Sequence, residues 1–69
     1  MNKTIDTVKY RNLTIELKEL TTGEYEAVVK RFDGYETNVV VQSDSYWNRE
    51  HAIDHAKHLL DDYLDDEIE

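Results

Sequence analysis

His51, His55 and His58 are the residues of this chain whose spacing most resembles a site. On a helix, steps of four and three place them on one face, and Asp62 extends the row. Two imidazoles one turn apart can chelate a divalent metal, and a carboxylate can be a third ligand. Yet the segment His51–His55 is not the H-E-x-x-H of a metalloprotease: its carboxylate is Asp54, standing at a different position. The same wheel puts the histidines on the solvent side among carboxylates. Surface imidazoles in an acidic field are the simpler expectation there, with no cofactor and no metal required.

Other chemistry is weaker still. Asp61-Asp62 and Asp65-Asp66 belong to too large a set of carboxylates to single out a general acid and base. Ser43 and Ser45 precede a helix start, where capping and turn formation explain them better than nucleophilicity. Both glycines fall in turns, so there is no phosphate-cradling loop, and the absence of Cys excludes disulfides and thiolate metal sites. The expectation is a protein that is not an enzyme.

Charge is the more informative property. The 69 residues carry 16 acidic and 8 basic side chains, a formal charge of −8. This balance disfavours direct binding to nucleic acid or to an anionic membrane. The excess lies wholly in residues 34–69, where Arg49 and Lys57 face ten carboxylates. On a helical wheel Asp54, Asp61, Asp62, Asp65 and Glu69 fall opposite an apolar stripe, and Asp66 adds to the last turns. Carboxylates there oppose the helix dipole, so local helix stability does not explain them. One explanation is a solubilising face. The other is a phosphate-like surface that occupies a basic nucleic-acid channel on a protein partner, with Tyr46 and Trp47 as exposed aromatic contacts.

The elements that must position these residues follow from periodicity. Leu13, Ile15 and Leu17 alternate with polar residues as in a strand with one wet face. Thr21-Thr22-Gly23 breaks that strand, and a second runs through about 24–32 with Tyr25, Ala27 and Val29 on one side. Asp33-Gly34 predicts a type I′ hairpin turn, and 35–42 is a β-branched third strand. By alternation Val28 and Val40 face outward, a modest patch compatible with a homodimer sheet face or with no partner at all. Residues 4–10 show no clean period. Residues 1–11 are therefore an N-terminal arm or an edge strand, and 12–69 form the domain.

Asn48 is the expected N-cap, with Glu50 in the first turn and Trp47 placed to staple the entry. Ala52, Ile53, Ala56, Leu59, Leu60, Tyr63 and Leu64 recur at steps of three and four, predicting a helix over about 48–66. The fold class is α+β: a three-stranded antiparallel meander followed by one long C-terminal helix packed on one face. No apolar stretch approaches a membrane span, and no signal peptide is evident, so the expected location is the cytoplasm.

The order β-β-β-α, the Gly23-Glu24-Tyr25 junction and the run Asn48-x-Glu50-x-Ala52-x-x-x-Ala56 resemble the partial RNase H core of HicB-type antitoxins over about residues 12–66. The Pro-Gly segment typical of that family is missing, and no C-terminal DNA-binding module is expected. The resemblance thus implies a toxin-neutralising or partner-binding domain, directed at a small ribonuclease toxin. In size, charge and architecture the chain is also similar to small acidic phage-encoded inhibitors, including anti-CRISPR proteins, some of which mimic DNA. That likeness implies a protein-binding inhibitor in a bacterial host cytosol and transfers no residues.

Overall fold

The computed structural model describes residues 3–68, with side chains through Asp66. Four strands, β1 (Lys3–Tyr10), β2 (Leu13–Glu19), β3 (Tyr25–Phe32) and β4 (Thr37–Gln42), precede one helix, α1 (Arg49–Ile68). The strands form one antiparallel sheet in the order β1-β2-β3-β4. The α+β architecture is as expected, but the meander has four strands rather than three, because 3–10 is a full strand and not an arm.

A bulge hides β1 from the sequence pattern. Thr4 pairs with Lys18 and Asp6 with Leu17, so Ile5 is an extra residue that shifts the alternation by one. Ile5 and Val8 both pack on the core although three positions apart, where a regular strand puts only residues an even number of positions apart on one face. The turn into β2 has no glycine. Arg11 and Asn12 adopt φ of 51° and 68°, the two positive values that a two-residue hairpin turn demands.

A second bulge lies in β4. Val29 pairs with Val41 and Lys30 with Val39, leaving Val40 as the extra residue. Val41 is thereby buried opposite Val29, and Val40 packs against the core. Val39 turns to the outer face and is 51% exposed. Val28 does lie on the outer face, between Glu16 and Gln42, but is only 2% exposed. The outward patch of Val28 and Val40 expected from simple alternation does not exist.

The β3–β4 turn also differs from expectation. Gly34 alone has positive φ there, and the backbone N–H of Asp33 donates to the carbonyl of Glu36. Strand pairing ends at Phe32 and Thr37, so the connection is the four-residue loop 33–36 rather than a two-residue type I′ Asp33-Gly34 turn. Asp33 serves instead through its side chain, whose Oδ1 accepts the N–H groups of Tyr35 and Glu36 at 2.8 and 2.9 Å. Those backbone donors hold its carboxyl below the ordinary carboxylate range.

Helix α1 begins as expected. Asn48 Oδ1 accepts the N–H groups of Glu50 at 2.8 Å and His51 at 3.3 Å, satisfying two orphan donors. Ala52, Ala56 and Leu60 are fully buried and pack against Ile15, Leu17, Ala27, Val29 and Val41. Small residues at two of the three central positions let the helix approach β3 closely. Trp47 is 72% exposed, and its ring lies over the β2–β3 turn, 3.5 Å from where a Cβ on Gly23 would stand. No helix among the described residues is long and apolar enough to cross a membrane.

Candidate functional site

The two basic side chains of α1 both turn toward the sheet. The Arg49 guanidinium lies 5.1 Å from the centroid of the Tyr25 ring, with Glu19 and Asp6 adding opposite charge nearby. Lys57 Nζ lies 5.4 Å from the centroid of Tyr10. Each cation sits on an aromatic ring of the half-buried margin. What remains on the helix exterior, among the described residues, is anionic or imidazole. Asp54, Asp62, Asp65 and Asp66 are exposed, with His51 and His58 between them.

Asp61 does not belong to that exterior. It reaches back to the β1–β2 turn, where Tyr10 Oη donates to both carboxylate oxygens at 3.1 Å and Arg11 Nη1 donates to Oδ1 at 3.0 Å. The Arg11 guanidinium, and then the Tyr10 hydroxyl, hold the Asp61 carboxyl below its usual range despite partial burial. The same bond raises the Tyr10 phenol. Arg11 also approaches Asp65 at 3.9 Å. Of the acidic row expected from the wheel, then, Asp61 is tied down and Asp65 is partly compensated. Asp54, Asp62 and Asp66 project freely, and Glu69 lies outside the described residues. Sequence periodicity missed the attachment because the partner cation sits in a turn 50 residues away.

The three histidines do not act alike. His51 and His58 are exposed, whereas His55 is half-buried, and its Nδ1 accepts the backbone N–H of Asp44 at 3.1 Å. A fixed donor at Nδ1 means the neutral ring carries its proton on Nε2. The Tyr46 hydroxyl lies 3.2 Å from the same nitrogen, and the Tyr46 ring meets His51 and His55 edge-on. Tyr46 is further anchored by a reciprocal backbone pair with Tyr25. It is thus a strut between the loop and the helix rather than a free contact residue, while Trp47 keeps its exposed ring. Among the described residues no three histidine or carboxylate groups converge on a metal position.

Ser43 has a structural task that the turn expectation only approximates. It is buried, its N–H donates to the Ala27 carbonyl at 2.8 Å, and its Oγ accepts the Ala27 N–H at 2.9 Å. Oγ in turn donates to the carbonyl of Asp44 at 2.9 Å. The hydroxyl replaces a backbone carbonyl in the ladder and lets the chain leave the sheet toward α1.

An open cleft of about 520 Å³ lies between the β3–β4 hairpin and the second half of α1, lined by residues including Arg31, Asp33, Asn38 and Tyr63. Its one carboxylate, Asp33, is held ionised by backbone donors and so is unsuited to act as a general acid. Comparison with known proteins finds no matching family model, no matching characterised protein and no matching solved structure.

Proposed function

We propose that this chain is a non-enzymatic protein-binding inhibitor, of the kind carried by phages and mobile elements, that works in the cytoplasm of a bacterial host. It lays the outer face of α1 into a basic nucleic-acid-binding site on a partner. The observation that carries this reading is the segregation of charge on α1. Arg49 and Lys57 are drawn onto the rings of Tyr25 and Tyr10, so Asp54, Asp62 and Asp66 face outward without a helix cation among them. A rigid helix holds such carboxylates about 6 Å apart per turn, presenting a fixed negative rail that steers and registers a basic partner. The exposed Trp47 at the head of the helix supplies an aromatic anchor.

A second reading has its own support. Ala52 and Ala56, the two alanines of the motif shared with HicB-type antitoxins, are both fully buried at the helix–sheet contact. A HicB-like domain would cover a small basic ribonuclease toxin with the same acidic face.

Capture from a host lysate tests both. The immobilised chain and an Asp54→Lys/Asp62→Lys/Asp66→Lys variant are compared, with duplex DNA as competitor. Under the first reading the wild-type chain retains a nucleic-acid-binding protein that DNA displaces and the variant does not hold. Retention of a small ribonuclease favours the antitoxin reading. Equal retention by both chains contradicts an acidic docking face.

A further inference from the structure

The two edges of the sheet are built differently. Each is interrupted by one bulge, at Ile5 in β1 and at Val40 in β4, so bulging does not distinguish them. Charge does. The β1 edge carries Lys3, Asp6 and Lys9, the side chains that natural sheets use to repel a further strand. The β4 edge, Thr37-Asn38-Val39-Val40-Val41-Gln42, carries no charge at all. Four of its six residues are β-branched, and no described strand pairs with its far side. A neutral, β-rich edge of this kind is a template for strand addition.

We infer that the free edge of β4 pairs antiparallel with β4 of a second copy of this chain, joining two sheets into one of eight strands. The occupant follows from charge. A chain of −8 repels its own copies across most of its surface, and β4 is the strand on which like chains can meet without opposing like charges. Antiparallel pairing of one strand with itself has two-fold symmetry and closes at two copies. Of the four large apolar side chains that stand exposed among the described residues, three lie on or next to the β3–β4 hairpin, the fourth being Trp47 at the head of α1. Val39 and Phe32 stand on the outer face, 51% and 65% exposed, and Tyr35 projects from the hairpin tip.

The two-fold axis is perpendicular to the sheet, so both helices lie on the same side. Helix α1 packs chiefly on β3, and the two β3 strands are three strand spacings apart, about 14 Å. Helices about 10–12 Å wide clear each other at that distance. Their carboxylates still repel when the Debye length is long. Dimerisation therefore strengthens as salt is added, whereas docking of the acidic face on a basic partner weakens. The dimer does not depend on the proposed function, and the opposite salt responses separate the two.

Sedimentation equilibrium of the full chain over a wide concentration range, at low and physiological salt, is the test. A monomer–dimer equilibrium that tightens with salt is expected, weakened about tenfold or more by Val39→Lys. The circular dichroism of the dilute protein should be unchanged by that substitution, since Val39 is an outward residue. Should Val39→Lys fail to fold, amide exchange in the wild-type chain decides: the edge amides of β4 are slowed at high concentration and released on dilution. A chain that stays monomeric up to millimolar concentration overturns the inference. So does a dimer unaffected by Val39→Lys, or β4 amides that exchange identically at all concentrations.

Discussion

The hydroxyl of Tyr10 lies 3.1 Å from each carboxylate oxygen of Asp61, although 51 positions separate them in the chain. With Arg11 bonded to the same carboxylate and Lys57 lying on the Tyr10 ring, this contact fastens the second half of α1 to the edge strand β1 and the turn that follows it. It also links stability to pH at both ends of the scale. The Asp61 pKa is lowered in the folded chain, so its contribution is present above the ordinary carboxylate value of 3.8 and is lost as pH falls through the lowered folded value. The Tyr10 pKa is raised, so its contribution is complete below 10.0 and is lost as pH rises through the raised folded value. Thermal unfolding of wild-type and Tyr10→Phe chains from acid to alkaline pH checks this. The variant should melt lower near neutrality, and the two curves should converge at both extremes. A constant difference across the whole range contradicts the assignment.

Ser43→Ala leaves the Ala27 N–H without its side-chain acceptor in a buried place. The expected loss is about 1–3 kcal/mol in urea unfolding, more than the roughly 1 kcal/mol expected for removing the N-cap in Asn48→Ala. Reversal of that order would mean that the hydroxyl is replaceable by water.

His55 is a strut, so metal should not compete for it. Zinc titration by calorimetry is expected to show no saturable uptake. His55→Ala should lower the melting temperature by leaving the Asp44 N–H and the Tyr46 hydroxyl without their acceptor. Saturable zinc binding lost on His55→Ala would restore the metal reading.

The parts of this fold legible in sequence are those where alternation is unbroken. Leu13, Ile15 and Leu17 announce β2, and the steps from Ala52 to Leu64 announce α1 down to its Asn48 cap. The parts that were not legible are those where one extra residue changes phase. Ile5 disguises β1, and Val40 reverses which valines face water. Arg11 and Asn12 accept positive φ without a glycine to signal it, so the first hairpin left no mark. In the site, periodicity placed the carboxylates on the helix but could not show which cations reach them. Arg11 claims Asp61 from a distant turn, and the rings of Tyr10 and Tyr25 draw Lys57 and Arg49 inward. Tyr46 and His55 read as surface residues until the loop after β4 folds back to join them.

The docking role of the outer face of α1 is tested most directly by the affinity of a captured partner, measured by calorimetry for the wild-type chain and for the Asp54→Lys/Asp62→Lys/Asp66→Lys variant across a salt series. An acidic docking face requires that wild-type affinity fall steadily with added salt and that the variant bind little at any salt. Affinity unchanged by both the substitutions and the salt would contradict it.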